Sequence, residues 1–422
     1  MRVIIEKIIY PGKSLSRHNG KIILTDEGVP GEEVEIIPLK EKTNYIEAKT
    51  SKIIKPSRSR IQPHCSHYQV CSTYQYIDYP TQIKFKQDQL KEIMSHSLKI
   101  NLTQIKFRES PQTFNYRNKI TLSIIWDGSR ACLAYTLPKT INQFIKIEEC
   151  FLVSPQINNT LSLFIKTITA NKLNFINKVT VKESWNKKEI LLVIYGNAIK
   201  EIKNLADKFD VLKKLPICGI VYITKNPKTK HIIKGNDFIK ESIDETSFLI
   251  GSESFFQINI PLLKTMANDI KKSFLSTNNK TIADLYCGVG TFGILLASAA
   301  HQVIGVESEQ ENISFLKKNL EINKINNFII KKGDCQKIIP SILKNQIDIL
   351  ILDPPRKGLD KKICHSIIKN PPSRIAYVSC NPSTLTRDLK ILLSLYKLKD
   401  FYAYDFFPQT PHMETLTILS KC

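Results

Sequence analysis

A chain of 422 residues, 42% hydrophobic and 24% charged, is too long for one ordinary domain and apolar enough to bury large cores, so it is neither disordered nor a small stapled scaffold. Its 61 Lys and Arg against 39 Asp and Glu leave a net charge of +22. That excess points to a polyanionic partner, because cationic surface gains by displacing counterions from phosphates, although general richness in Lys, Ile and Asn accounts for part of it. No apolar run approaches the roughly 18 residues of a membrane span, and the first residues lack the apolar core of a signal peptide. A cytoplasmic protein with no membrane partner is expected, and each of the ten cysteines has to be weighed as core, metal ligand or nucleophile.

Residues 1–55 predict short strands over 2–9, 21–24, 33–37 and 45–54, divided by turns at Pro11-Gly12 and Pro30-Gly31, the pattern of a small β-barrel. The stretch 28–36 resembles the signature of a TRAM domain, an OB-like module that binds RNA. Lys52, Lys55, Arg58 and Arg60 then form a basic linker around Pro56. Cys65 and Cys71 follow, near His64 and His67. A C-x5-C-x2-C run with a distant fourth cysteine would suit an iron–sulfur cluster. Here Tyr74 takes the third place and Cys150 is the distant candidate. Three thiolates of four are an incomplete set, which favours cysteines left as core or surface. The stretch 56–250 reads as a central α+β domain, with helices over 82–98, 155–169 and 197–209 and strands over 118–125, 189–195 and 219–224. Within it Phe114, Tyr116, Arg117 and Lys119 mix rings with cations, a combination that suits stacked bases and equally a strand end.

From about 251 to 422 strands alternate with helices, the mark of a parallel sheet. A strand over 281–286 runs into Cys287 and a turn in which Gly288, Gly290 and Gly293 fit G-x-G-x-x-G, then a helix over 294–300. The strand over 302–307 ends in Glu307, an acid placed for a ribose diol. Together these indicate an adenosine-containing cofactor on a Rossmann-like sheet. Asp284 lies four residues before the first glycine, and negative charge there is of little use beside a pyrophosphate; it favours S-adenosylmethionine over a dinucleotide. Strands over 328–330 and 347–352 lead to Gly333-Asp334, placed for the adenine edge, and to Asp353-Pro354-Pro355, a carboxylate at the sheet's active edge or, alternatively, a cap for a helix from Leu359 onward. Arg356 stands where a base N-methyltransferase would favour an aromatic.

A strand over 374–378 and a helix over 386–393 place Cys380 in a strand-to-helix turn, where open α/β sheets keep their chemistry. A cysteine there is more commonly a small buried residue. A last pair of strands, 400–404 and 414–419, is joined by a loop carrying His412 and ending at Glu414. These parts suit methylation at C5 of a pyrimidine. C5 is too weak a nucleophile alone, so a thiolate adds to C6, C5 then attacks the methyl group, and a base removes the C5 proton before the thiol is expelled. Cys380, at an ordinary thiol pKa of about 8.5, needs activation, for which helix N-terminal donors and a sulfonium charge are available. Glu414 or His412 would be the base; we assign Glu414.

The segments Ser254-Phe255-Phe256-Gln257-Ile258-Asn259, Asp284 to Gly290, Asp353-Pro354-Pro355-Arg356, Ser379-Cys380-Asn381-Pro382 and His412-Met413-Glu414 resemble the RNA 5-methyluridine (uracil-C5) methyltransferase family over essentially the whole chain. That resemblance implies Cys380 as nucleophile, Glu414 as proton acceptor and Gln257, Tyr286, Glu307, Asp334 and Asp353 as S-adenosylmethionine-site residues. Members most like this chain carry four cysteines on a [4Fe–4S] cluster, and Tyr74 departs from that pattern beside Cys65, Cys71 and Cys150. The TRAM-like start and the cysteine remnant lean toward 23S ribosomal RNA, with transfer RNA as the alternative substrate and a monomer as the expected state. An RNA cytosine-C5 methyltransferase shares the thiolate chemistry. A noncatalytic RNA-binding or RNA-folding protein has no need of Cys380 and Glu414, and a nicotinamide-dependent oxidoreductase fits Asp284 and Asp353 poorly.

Overall fold

The computed structural model describes residues 1–100, 105–137, 143–197, 204–225, 227–274 and 279–422. The chain divides into two compact units. The first holds Met1–Thr113, Cys380–Lys390 and Tyr402–Thr415, the second Phe114–Ser379, Ile391–Phe401 and Leu416–Cys422. Among the described residues no helix is long and apolar enough to cross a membrane.

In the first unit β1 (Arg2–Ile4), β2 (Lys7–Ile9), β3 (Lys13–His18), β4 (Lys21–Thr25), β5 (Glu33–Glu41) and β6 (Tyr45–Lys55) form one sheet in the order β1-β5-β6-β4-β3-β2. Val3, Ile5, Ile23, Val34, Ile36 and Ala48 fill its core. The single strand expected over 2–9 is two, because the chain changes partner within it: β1 pairs with β5, whereas β2 pairs with β3. Strand β3 escaped the sequence pattern because its inward residues include Ser14 and Ser16, both fully buried. The Ser14 hydroxyl donates to the Gly28 carbonyl at 2.7 Å, which lets a polar side chain sit in an apolar layer.

A short helix, α1 (Tyr68–Cys71), and a long one, α2 (Tyr79–Leu98), follow. Helix α2 starts three residues ahead of the apolar pattern. Asp78 caps it, accepting the Thr81 N–H at 2.9 Å, and Pro80 occupies the first turn, where its missing N–H costs nothing. Tyr74, Tyr76 and Ile77 pack with Ile8 and Val29 in a second small core. Strand β7 (Lys106–Arg108) pairs in parallel with Tyr402–Tyr404.

The second unit opens with β8 (Lys119–Asp127), β9 (Arg130–Thr136), β10 (Phe144–Ile147), helix α3 (Pro155–Ala170), β11 (Ile176–Glu183), β12 (Ile190–Gly196), helix α4 (Leu205–Lys208), β13 (Ile217–Thr224) and β14 (Lys230–Gly235). The strands form one sheet, β10-β9-β8-β11-β12-β13-β14. Helix α3 packs its apolar stripe of Ile157, Leu161, Phe164 and Ile168 into the core beside it. The helix expected over 197–209 lies partly outside the described residues; its described remainder contains α4. Tyr116 is buried in this core at 1% exposure, so within the aromatic and basic run ahead of β8 that ring serves packing and is not open to a stacked base. A hairpin of β15 (Phe238–Ile243) and β16 (Thr246–Gly251) precedes the last sheet.

That sheet is laid down by α5 (Ile260–Phe274), β17 (Lys280–Leu285), α6 (Thr291–Leu296), β18 (Ala300–Glu307), α7 (Gln310–Ile322), β19 (Phe328–Lys332), α8 (Cys335–Ile342), β20 (Ile349–Leu352), α9 (Lys361–Lys369), β21 (Arg374–Ser379), α10 (Pro382–Leu392), β22 (Tyr396–Tyr404) and β23 (Glu414–Lys421). Strands β19-β18-β17-β20-β21 are parallel, and β23 and β22 continue the order. The chain winds outward from β17 in both directions, through β18 to β19 and through β20 to β21. The crevice at the carboxyl ends of β17 and β20 is therefore the switch point at which open α/β sheets bind ligands.

Phe164 and Phe209 stack with ring centroids 5.9 Å apart, both buried. Phe164→Ala is expected to destabilise the chain by about 3–5 kcal/mol, read as a lower midpoint in urea denaturation.

Candidate active site

Strand β17 is hydrogen-bonded on both sides and buried along Ile282, Ala283, Asp284 and Leu285. A carboxyl in that position is costly unless it is neutral or well partnered. Asp284 is 1% exposed; its Oδ2 accepts the Gly293 N–H at 2.8 Å, while Oδ1 has no hydrogen-bond partner among the described residues. Burial, with Asp353 and Glu307 nearby, pushes its pKa up to about 8. Asp353 follows β20, is partly exposed at its edge, and is pushed up to about 7 by desolvation. It caps no helix: α9 begins with Asp360, whose carboxylate accepts the Lys362 N–H at 2.8 Å. The alternative role considered for Asp353 therefore falls to Asp360.

The three glycines have separate tasks. Gly290 has φ +92, and a Cβ there would lie 2.5 Å from Leu316 Cδ1; a Cβ on Gly293 would lie 2.7 Å from Phe328 Cε2. Both glycines serve packing. Gly288 has φ +57 and a Cβ there would meet nothing within 4 Å, so this is the place where backbone lies open to a ligand. Tyr286, just before, also adopts a left-handed backbone, φ +62, an uncommon state for a non-glycine residue and one that clusters at functional sites.

Glu307 ends β18 and is nearly buried. Its Oε2 accepts the Gly288 N–H at 2.9 Å and its Oε1 accepts the amides of Ser308 and Glu309 at 2.6 and 2.8 Å. The acid expected at a ribose diol thus also ties down the glycine turn. The Glu307 carbonyl accepts the Gly333 N–H at 2.9 Å, which brings Asp334 to the same edge. Asp334 is exposed and caps α8, accepting the Gln336 N–H at 2.7 Å. Gln257 is nearly buried, and its carbonyl accepts the Asn118 side-chain amide at 3.3 Å. Of its neighbours Phe256 is core at 7% exposure, whereas Phe255 is 63% exposed.

Sequence reading missed Lys182. It sits on β11, where alternation suggests a solvent face, yet it is buried at 3% exposure. Its ammonium donates to the carbonyls of Gly251 and Ser254 at 2.6 and 2.8 Å, fixing the start of the Gln257 segment. Burial pulls its pKa down to about 7. No spacing rule would have singled it out.

Cys380 and Glu414 belong to the first unit. Cys380 is half-buried between the end of β21 and the start of α10. Asn381 opens that helix: its side-chain oxygen accepts the Ser383 N–H at 3.1 Å and its carbonyl accepts the Leu385 N–H at 3.0 Å. The helix begins four residues earlier than its apolar pattern suggests, because Asn381-Pro382 is itself a start signal. Glu414 is buried at 4% exposure at the first position of β23, and His412 before it is partly exposed.

The cysteine segment does not fit a four-thiolate cluster. Tyr74 is fully buried and its hydroxyl accepts the Gln89 amide at 3.0 Å. Cys65, also buried, has its sulfur 3.0 Å from the Gln75 amide nitrogen. Cys71 is half-buried, and Cys150 is packed in a hydrophobic core with its main-chain N–H given to Asn158 Oδ1 at 3.0 Å. A phenol committed to packing cannot replace a thiolate ligand.

Residues 78–422 match the model of the family described as tRNA (uracil-5-)-methyltransferase. An uncharacterized RNA methyltransferase of Prochlorococcus marinus is 33% identical over 420 residues, covering 93% of this chain and 99% of the relative. One from Enterococcus faecalis is 27% identical over 448 residues, covering 100% and 97%. Among solved structures, the Pyrococcus abyssi tRNA (uracil-54, C5)-methyltransferase in complex with S-adenosyl-L-homocysteine superposes with a TM-score of 0.79 at 25% identity, covering 99% of both chains.

Asp284 makes a stability prediction whose sign follows from its raised pKa. The contribution of its neutral form is complete below the ordinary carboxylate value near 4 and is lost as pH rises through about 8. Relative to Asp284→Asn, wild type should lose stability between pH 5 and pH 8 with a slope approaching about 1.4 kcal/mol per pH unit. Urea denaturation at pH 5, 7 and 9 measures it; parallel curves for the two proteins would show that Asp284 is ionised throughout.

Proposed function

The chain belongs to the tRNA (uracil-5-)-methyltransferase family, and from that premise we propose that it methylates C5 of a uridine in RNA, using Cys380 as nucleophile and Glu414 as base. Two observations support this reading, each within its own unit: in the second, the glycine turn and the buried Asp284 and Glu307 at the ends of β17 and β18, and in the first, a half-buried Cys380 just before α10 and a buried Glu414 at the head of β23.

S-adenosylmethionine, when bound, supplies an electrophilic methyl group on a sulfonium. The residues that would hold it are Gly288, which leaves room for close approach, Glu307 and Asp334 at the ends of β18 and β19, and Tyr286, Asp353 and Gln257. Cys380 acts as thiolate and forms a bond to C6 of the uracil, which moves the electron pair to C5 and makes C5 nucleophilic. The helix that follows it offers N-terminal main-chain donors that favour the anion. Once C5 carries the methyl group, Glu414 takes the C5 proton. The electrons of that C–H bond rebuild the C5–C6 double bond, and the Cys380 sulfur leaves. Burial of Glu414 keeps bulk water from competing for that proton.

The net charge of +22 suits an RNA partner, and we read residues 1–55 as a TRAM-like β module that contributes to binding it. Ribosomal RNA is the substrate that this N-terminal module and the cysteine segment favour. The family description and the Pyrococcus enzyme favour transfer RNA. Cytoplasmic location and a monomeric state complete the reading.

Complementing a strain that lacks the gene with wild type or Cys380→Ala, and mapping 5-methyluridine in its ribosomal and transfer RNA, tests chemistry and substrate together. A position restored by wild type and not by the variant is expected. Restoration by both would remove Cys380 as nucleophile, and 5-methylcytidine instead would move the activity to cytosine.

The cofactor edge carries a separate prediction. A sulfonium held near Asp353 and Asp284 would favour their ionised forms, so binding would then draw protons from groups at about 8 and about 7. Affinity for S-adenosylmethionine should rise from pH 6 to 8 and level off above, with a smaller change for S-adenosylhomocysteine, which lacks the sulfonium charge. Calorimetry in buffers of different ionisation enthalpy counts the protons; no release would place both carboxyls away from the cofactor.

A further inference from the structure

The segment from Asp405 to Met413, which leads into Glu414, has no regular secondary structure. Only Phe407 and His412 within it are partly exposed. Buried irregular backbone needs partners for its amides and carbonyls; Arg108 and the loop itself supply some, and helix α2 supplies those of the Phe407 carbonyl and the Gln409 amide. Lys86 on α2 is fully buried, with its ammonium 2.5 Å from the equally buried Asp405 carboxylate and 3.2 Å from the Phe407 carbonyl. One turn earlier, the Gln82 side chain pairs with Gln409: its amide nitrogen donates to Gln409 Oε1 at 2.8 Å, and its oxygen accepts the Gln409 N–H at 3.0 Å. The Gln409 carbonyl accepts the Tyr74 N–H at 3.0 Å. Gln409 itself holds a left-handed backbone, φ +67, so the bend at mid-loop is fixed by this pairing rather than by a glycine.

A buried ion pair is seldom the most stable filling for a core; it is better suited to fixing one arrangement among several. Lys86 and Gln82 lie four residues apart on one face of α2, and both reach the loop that ends in the base, Gln82 also donating to the carbonyls of Tyr74 and Ile77 at 3.1 and 2.8 Å. We propose that Gln82 and Lys86 are positioning residues that set Glu414 for removal of the C5 proton. The inference rests on reading Glu414 as that base. Tyr74 joins the brace through its main chain, at the position where a cluster ligand was sought. In this chain the segment therefore supports the loop by hydrogen bonds.

The test uses the full-length protein with total RNA from cells lacking the enzyme, and compares Gln82→Leu, the Lys86→Met/Asp405→Leu pair and Glu414→Gln. Without its base the reaction halts after methyl transfer, with the Cys380–C6 bond intact. Glu414→Gln should therefore accumulate a protein–RNA adduct, stable on a denaturing gel, whose uridine is already methylated. Gln82→Leu should show the same adduct, with kcat reduced at least tenfold and KM for RNA and cofactor within twofold. The paired variant, which replaces charge by apolar volume and so keeps the core filled, should do likewise. Adduct with Glu414→Gln but with neither α2 variant, their loss being only in melting temperature, overturns the positioning role and leaves the base intact. No adduct with Glu414→Gln overturns the base assignment itself.

Discussion

The hydrogen bond from the Gly293 amide to the buried Asp284 carboxyl fixes the turn on which the second unit's ligand edge is built. It joins the middle strand of a parallel sheet to the first turn of the helix that follows, so the glycine segment between them has little freedom. Putting a carboxyl there is costly, and burial pushes its pKa up, which favours the neutral form. Glu307 secures the same turn from the next strand through the Gly288 amide. Two acids therefore grip the turn, Glu307 by the Gly288 amide itself, and leave only the Cα face of Gly288 open. A turn held this way is already shaped before a ligand arrives, and less ordering is left for binding to supply.

The parallel sheet was the most legible part of the fold. Its inner strands β17, β20 and β21 are short, largely apolar runs because they are buried along most of their length. The small β domain was legible as a kind but not in detail. Its strand β3 carries one buried leucine between two buried serines, so its inward face does not read as apolar. The pattern over 155–169 meets α3 at its first residue, but the starts of α2, α6 and α10 lie three or four residues ahead of their apolar patterns. The apolar stripe of α2 and of α10 begins a turn inside the helix, while the true starts are written in Asp78-Tyr79-Pro80 and Asn381-Pro382. Capping residues are polar, so a reading led by hydrophobic spacing passes over them.

The candidate site separates along the same line. Glycines, the strand-end acids Glu307 and Asp353, and Cys380 were visible because their chemistry is tied to a local pattern of strand, turn and helix. Lys182, Gln82 and Lys86 were not, because each acts on backbone far away in sequence. Gln82 and Gln409 are 327 residues apart, and neither stands in a motif. On a strand or a helix such residues read as the solvent face, and only their burial shows otherwise.

These hidden side chains share one physical task. Residues that do chemistry sit on irregular backbone, since neither a helix nor a strand can present an amide or a carboxylate at an arbitrary angle. Irregular backbone that is also buried must find its hydrogen bonds outside the regular ladders. Lys182 provides them for the segment entering Gln257, and Gln82 with Lys86 for the segment entering Glu414. Tyr74 fits the same account. An iron–sulfur cluster would fix a loop by binding its thiolates; a buried tyrosine whose hydroxyl is held by Gln89 and whose amide is given to Gln409 fixes one by packing and hydrogen bonds. Loss of one thiolate therefore need not loosen the loop, provided that the neighbouring helix carries enough polar groups to hold the backbone, and α2 does.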